Sequence, residues 1–167
     1  MSGLGGKGPR GILRFGALTV PCALGRTGRT ALKKEGDGGT PIGTWPVRRA
    51  FWRADRLMRP QTGLTLRAIG PSDGWCDAPE DRNYNRLVRH PYPASAEHMM
   101  RSDELYDVVV VLGHNERPRR RGGGSAIFMH VARPGLTPTA GCIALPRPVL
   151  VRLLRYLSRR TVVTVLA

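Results

Sequence analysis

The chain has 167 residues, with 27 Lys and Arg against 12 Asp and Glu, which gives a formal net charge of +15 at pH 7. This length suits one domain with a hydrophobic core and leaves little room for two. The charge would attract phosphates, nucleic acid or other anionic polymers. Only R-P-R-R-R at residues 117–121 forms a dense patch, and no nucleic-acid motif accompanies it, so the sequence predicts no specific nucleic-acid function.

The cysteines and histidines form neither a disulfide pattern nor a metal pattern. Cys22, Cys76 and Cys142 include no C-x-x-C pair, and the four histidines lack H-x-x-x-H spacing. We therefore predict no metal, no cofactor and no disulfide framework. A free thiol is expected at Cys142.

The amino-terminal sequence predicts no secretion signal. An apolar run at residues 12–24 is interrupted by Arg14, Gly16 and Pro21, whereas a signal peptide needs about 7–15 unbroken apolar residues. No later run reaches transmembrane length. The sequence predicts a flexible segment over residues 1–9, a single domain over residues 10–167, no membrane span and a cytoplasmic location.

Four segments in the first half have the apolar and β-branched composition of strands: residues 11–15, 18–24, 44–53 and 64–69. The first two predict an opening hairpin. Residues 25–43 are rich in Gly, Thr, Lys and Asp and predict a loop. Residues 70–93 contain four Pro and predict a long ordered loop, a kind that often lines a site.

The second half continues this pattern. A short helix is predicted at residues 95–101, capped by Ser95, and a basic loop at residues 116–124. Strands are predicted at residues 106–112, buried on both faces, and at 125–131, 142–145 and 161–166. A C-terminal helix starts at Pro148, because apolar residues recur at helical spacing: Leu150, Leu153, Leu154 and Leu157. These elements predict a mostly antiparallel β or α+β domain with one or two further short helices.

Residues 130–146, H-V-A-R-P-G-L-T-P-T-A-G-C-I-A-L-P, bring an imidazole and a thiol into one stretch of chain. A cysteine nucleophile needs a base to take its proton and N–H donors for the oxyanion. His130 is the candidate base, and the N–H groups of Gly141 and Cys142 are the candidate donors. Such an environment should lower the pKa of the Cys142 thiol below the free value of about 8.5. A buried structural Cys near a core His is the alternative.

This stretch resembles the signature of the L,D-transpeptidase (YkuD-like) catalytic domain family, a His followed by [ST]-x-G-C. The matching residues are His130, Thr139, Gly141 and Cys142. A second segment, K-K-E-G-D-G-G-T-P-I-G-T-W at residues 33–45, is similar to the family's T-P-x-G-x-aromatic stretch. Further runs resemble a single-domain branch of the family: D-G-W-C-D-A-P, Y-N-R, P-Y-P-A-S and V-V-V-L-G-H-N. The resemblance extends from about residue 10 to residue 166.

The resemblance implies a β-sandwich fold of the L,D-transpeptidase type and cysteine-dependent acyl transfer on peptidoglycan stem peptides. Cys142 would form an acyl-enzyme at meso-diaminopimelate, release D-Ala and pass the acyl group to an amine. An L,D-carboxypeptidase, which passes the acyl group to water during recycling of muropeptides, is the alternative. A weaker alternative is a non-catalytic basic module that binds peptidoglycan or nucleic acid. The family's usual location, the periplasm or cell wall, is the alternative to the cytoplasm.

Five further residues are candidate substrate contacts: Thr139 in the turn before Cys142, His114 and Asn115 at the end of a strand, and Tyr84 and Arg86 in the long loop. Many relatives have His and Arg where this chain has Ala140 and Ala144, so the roles of those side chains are not carried over. The predicted partners are peptidoglycan stem peptides or muropeptides, and the protein is predicted to be a monomer.

Overall fold

A computed structural model describes residues 8–167 of the chain. Residues 1–7, which form most of the N-terminal segment predicted to be flexible, lie outside the described residues. The described part contains thirteen strands, one α-helix and one 3₁₀ turn, so the prediction of a mostly β fold is confirmed. The strands are β1 Arg10–Phe15, β2 Leu18–Ala23, β3 Arg29–Thr30, β4 Thr40–Pro41, β5 Gly43–Trp52, β6 Leu66–Ala68, β7 Asp73–Cys76, β8 Arg86–Arg89, β9 Ala96–His98, β10 Val108–Leu112, β11 Phe128–Val131, β12 Ile143–Leu145 and β13 Val162–Val165.

Eight of these strands form the main sheet, in the order β1-β2-β12-β11-β10-β5-β13, with β6 paired to β5. They are the eight strands predicted from the sequence, with ends that differ by a few residues. β1 and β2 form the expected antiparallel hairpin, while β11 and β12 run parallel. This parallel pair positions the two candidate catalytic residues, because β11 carries His130 and β12 begins directly after Cys142.

A smaller sheet, in the order β8-β7-β9, corrects two predictions. The segment at 70–93, predicted to be a loop, contains β7 and β8, which pair antiparallel. The helix predicted at 95–101 is wrong: its centre is β9, which pairs with the other edge of β7. Main-chain hydrogen bonds to β7 satisfy β9 without a helix. No helix begins at Ser95, whose carbonyl accepts from the N–H of Asp77 at 3.2 Å.

The main sheet separates two hydrophobic cores. All five residues of β10 are buried, as predicted, and they divide by alternation: Val108, Val110 and Leu112 face the first core, and Val109 and Val111 face the second. The second core also contains Cys142, packed with aromatic side chains of the small sheet and of β11. The candidate nucleophile therefore lies on the side of the main sheet where the small sheet packs.

The predicted C-terminal helix is confirmed as α1, Arg147–Leu154, with a proline in its first turn. Leu150, Leu153 and Leu154 are buried in the first core, and Leu157 is buried there too although it lies beyond the end of the helix. The 3₁₀ turn, Pro134–Leu136, lies in the loop between β11 and β12. Within residues 8–167 no helix combines the length and the apolar character that a membrane crossing requires.

Candidate active site

A cleft with a volume of about 350 Å³ opens beside the second core. Four of the eight residues predicted for the site line it: His130, Thr139, Gly141 and Cys142. Residues from several other parts of the chain complete its wall, among them Lys33, Glu97 and Tyr106. The cleft therefore joins the His-to-Cys stretch to segments that are far from it in sequence.

The parallel pairing of β11 with β12 places the imidazole and the thiol on one face of the sheet. His130 lies opposite Ala144, and Met129 lies opposite Ile143. Because side chains alternate along a strand, Cys142 and Ala144 project on the same side as His130. The thiol and the imidazole consequently open into the same cleft.

His130 is buried, with one ring nitrogen fixed by the main chain. Its Nδ1 lies 2.8 Å from the carbonyl oxygen of Val131, and a carbonyl only accepts, so Nδ1 carries the hydrogen and Nε2 keeps its lone pair. The ring also meets Tyr106 edge-on, with centroids 5.6 Å apart. Burial lowers the pKa of His130 from 6.5 to about 4, so the imidazole is a neutral base at pH 7.

The thiol of Cys142 is held by main-chain groups. It donates to the carbonyl oxygen of Ala126 at 3.1 Å and accepts from the N–H of Phe128 at 3.5 Å. Burial raises the pKa of the Cys142 thiol to about 12. The expected lowering of this pKa is therefore wrong for the resting site, because desolvation outweighs the nearby donors. Thiol and imidazole are both neutral over the whole physiological range.

The turn before the cysteine is closed by Thr139. Its hydroxyl donates to the carbonyl of Cys142 at 2.7 Å and accepts from the N–H of Gly141 at 3.1 Å. Gly141 has φ +141, and a Cβ on it would lie 2.9 Å from the carbonyl oxygen of Gly39, so a side chain does not fit. Because the Gly141 N–H is used within the turn, the N–H of Cys142 is the main-chain donor that we retain for an oxyanion.

Asn85 connects the cleft to the small sheet through four hydrogen bonds. Its Oδ1 accepts from the indole of Trp75 at 3.0 Å and from the N–H of Ala126 at 3.1 Å. Its Nδ2 donates to the carbonyls of His114 at 3.1 Å and Asn115 at 2.9 Å. This uses the full capacity of the amide. Asn85 therefore fixes Ala126, whose carbonyl receives the thiol hydrogen.

Two predicted residues, His114 and Asn115, follow β10 and lie outside the cleft. His114 is buried against the ring of Trp45, with centroids 4.7 Å apart, and its Nε2 lies 2.9 Å from the carbonyl of Gly123. Asn115 bonds through both ends of its amide to Arg120 and Gly124. Both side chains therefore bond to the basic loop of residues 116–124 rather than to His130.

The other two predicted residues flank Asn85 and also lie outside the cleft. The hydroxyl of Tyr84 donates to the carboxylate of Glu35, which does line the cleft. Arg86 is exposed and lies in a separate depression with Trp75 and Arg119. The structure thus gives Tyr84 an indirect connection to the cleft and Arg86 none.

Charged residues that the motif did not indicate line the same cleft: Lys33, Glu35, Asp77, Glu97, Arg101 and Arg133. Glu97 on β9 accepts from the hydroxyl of Tyr106 at 2.8 Å, and its carboxylate lies 3.5 Å from Arg101. Burial raises the pKa of Glu97. Lys33, Glu35, Asp77 and Arg133 lie within stretches that resemble the family, whereas Glu97 and Arg101 carried no sequence signal. Among residues 8–167, no group of three or more His, Cys, Asp or Glu side chains is placed to hold a metal ion.

Comparison with known proteins agrees with this geometry. The chain matches the family model of the L,D-transpeptidase catalytic domain, YkuD, over residues 13–165. No curated protein and no solved structure gave a match. The matched range contains β2 to β13 together with the cleft and both residues of the His and Cys pair. The chain therefore belongs to the YkuD family of L,D-transpeptidase catalytic domains.

Proposed function

We propose that the protein is a cysteine acyltransferase that acts on peptidoglycan stem peptides, with Cys142 as nucleophile and His130 as general base. Family membership supports the substrate class. The observation that carries the proposal is the pairing of β11 with β12, because it places a thiol and a neutral imidazole in the same cleft. The fixed Nδ1 hydrogen bond of His130 leaves Nε2 as the acceptor for the thiol proton.

Acylation begins when Sγ of Cys142 forms a bond with the substrate carbonyl carbon. The thiol proton passes to Nε2 of His130, and the π electrons of the carbonyl move to its oxygen. The N–H of Cys142 donates to that oxyanion, and loss of one such donor typically costs about 3 kcal/mol of transition-state stabilisation. Collapse breaks the C–N bond, the imidazolium returns the proton to the leaving amine of D-Ala, and a thioester remains.

The neutral resting pair determines how the proton moves. With a thiol pKa of about 12 and an imidazole pKa of about 4, a separate thiolate and imidazolium pair is scarcely populated at pH 7. Proton transfer therefore accompanies attack on the carbonyl rather than preceding it. The resting thiol stays protected until a substrate occupies the cleft.

The acceptor decides the product. The amine of a second stem peptide attacks the thioester, loses its proton to His130 and leaves Cys142 as a thiol, which gives a cross-link. Water attacking in the same way gives a tripeptide and makes the enzyme an L,D-carboxypeptidase. We propose amine transfer first, because it is the activity by which the family is described.

Incubation with a diaminopimelate tetrapeptide muropeptide, with and without a second stem peptide, tests this function. Mass spectrometry should detect free D-Ala together with a cross-linked dimer, or with a tripeptide if water is the acceptor. Cys142→Ala protein should give neither product. A folded wild-type protein that leaves the tetrapeptide intact under both conditions would disprove the proposal.

A further inference from the structure

The side chain of Lys33 is buried in the wall of the cleft. Its side chain is only 5% exposed, and its ammonium pairs with the carboxylate of Asp37. The stem of Lys33 packs so closely on Gly124 that a Cβ there would lie 2.8 Å from its Cγ. Burial of an ammonium is unfavourable unless the charge is compensated. Its position is therefore well defined, and its ion pair is part of the cleft.

The ammonium of Lys33 lies next to the residue that precedes Cys142. Its Nζ is 3.4 Å from the position that a Cβ on Gly141 would occupy, so it lies within about 5 Å of the Gly141 Cα. Asp37 is in turn fixed by the N–H groups of Lys34 at 2.7 Å and Gly39 at 2.8 Å. The loop that carries Lys33 thus holds a positive charge against the Gly-Cys turn.

We propose that Lys33 stabilises the negative charge that develops on the sulfur of Cys142 and on the substrate oxygen during attack. This role rests on the proposed function and assigns that site a group outside its signature motif. The Gly141 N–H is already bonded to Thr139, so the turn presents one main-chain donor where two are common. A nearby ammonium supplies the missing stabilisation, and it is strongest in the low-dielectric cleft.

The electrostatic surroundings of the thiol agree with this role. Burial is the largest effect on the pKa of Cys142 and raises it, and the Phe128 N–H is the next and lowers it. Of the two nearby charges, Glu97 raises this pKa and Lys33 lowers it, so Lys33 opposes both burial and Glu97. The competing account is that Lys33 and Asp37 only close the loop, in which case the charge itself has no effect on Cys142.

Lys33→Met removes the charge and keeps the length of the side chain. The rate of Cys142 alkylation by iodoacetamide at pH 8, followed by peptide mass mapping, needs no substrate. We expect it to fall on the order of tenfold, since loss of a nearby unit charge raises a thiol pKa by about one unit. Lys34→Met is the matched control, because Lys34 is exposed, and its rate should equal that of the wild type. Lys33→Arg, which keeps the charge, should restore most of the rate.

Steady-state kinetics provide a second test of the role of Lys33. Loss of transition-state stabilisation lowers kcat with little change in KM, so Lys33→Met should lower kcat by a similar factor. Folded Lys33→Met protein with wild-type alkylation and kcat would overturn the proposal. Lys33→Gln, whose amide can still bond to Asp37, gives the same comparison if Lys33→Met does not fold. If wild-type protein shows no acyl transfer while alkylation still depends on Lys33, the proposed function fails and the role of Lys33 stands.

Discussion

Cys142 donates its thiol hydrogen to the main-chain carbonyl of Ala126, with Sγ and O 3.1 Å apart. The carbonyl is fixed because the N–H of the same residue is bonded to Asn85. The resting thiol is therefore satisfied by the protein, and the proposed mechanism requires it to exchange this acceptor for Nε2 of His130 when a substrate binds. Both Asn85 and Ala126 have positive φ, 56 and 51, a conformation that non-glycine residues adopt mainly where the surroundings enforce it.

Replacing the nucleophile should abolish turnover and leave the fold intact. Cys142→Ala removes only a sulfur atom from the edge of the second core, so we expect a stability loss on the order of 1 kcal/mol. D-Ala release reports activity and thermal melting reports folding. Cys22→Ala is the control, because Cys22 lies in the first core and away from the cleft, and it should keep the wild-type rate. Near wild-type turnover by Cys142→Ala would remove this thiol from the mechanism.

The pH profile should report the depressed pKa of His130. A base is active only when deprotonated, and burial holds this imidazole neutral down to about pH 4. We therefore expect kcat/KM to stay nearly constant as pH falls through 6.5 and to decline only near pH 4. A steady-state series from pH 8 to pH 4 measures it. Half-maximal activity near pH 6.5 would mean that the imidazole is solvated.

The lowered pKa of His130 also makes the stability of the folded protein depend on pH. The unfolded chain protonates this histidine near pH 6.5, whereas the folded protein does so near pH 4, so the unfolded state binds more protons between these values. Stability is thus lost as pH falls from 6.5 to 4, by about 3 kcal/mol for this group. Urea unfolding at pH 7 and pH 4 should show a loss of stability that is smaller in His130→Gln than in the wild type by about this amount.

Asn85→Ala should damage both stability and activity. It leaves the Trp75 indole, the Ala126 N–H and two carbonyls without their partner, which we expect to cost about 3 kcal/mol. It should also lower kcat, since the Ala126 carbonyl loses its anchor. Asn83→Ala is the comparison, because that amide bonds to Tyr92 at 2.9 Å and lies outside the cleft. Equal loss of activity in both variants would rule out a specific role for Asn85.

The main sheet was predictable because its strands carry their own signals. β10 is a continuous apolar run, and β1 and β2 have the composition of a hairpin. β7, β8 and β9 were missed because their sequences, D-G-W-C, R-L-V-R and A-E-H, contain polar residues that suit turns or a helix. They become strands only by pairing with one another, and that pairing is a tertiary effect.

The candidate site likewise has residues that the sequence predicts and residues that it does not. Cys142, His130, Thr139 and Gly141 lie within thirteen residues of chain, so a local motif was enough to find them. Lys33 and Glu97 reach the cleft through a loop and through β9, and no spacing rule connects them to the motif. The sign of the Cys142 pKa shift was missed for a related reason, since desolvation depends on the packing of the second core.

Neutralising the basic loop should leave the chemistry intact. Arg117, Arg120 and Arg121 are exposed and lie outside the cleft, so replacing all three with Ala should change kcat little. Binding to DNA should be weak, indifferent to sequence and lost as salt rises, because its free energy comes from released counterions. Fluorescence anisotropy at two salt concentrations measures this. A sequence-selective complex that persists near physiological salt would favour a nucleic-acid function.

The central claim is that Cys142 carries the acyl group, and intact-protein mass spectrometry tests it most directly. Wild-type protein mixed with the diaminopimelate tetrapeptide and quenched in acid should gain the mass of the tripeptide acyl group, since a thioester survives acid. Peptide mapping should then locate that mass on Cys142, with no adduct on Cys22 or Cys76. Turnover without any adduct on Cys142, or an adduct on another residue, would contradict the account.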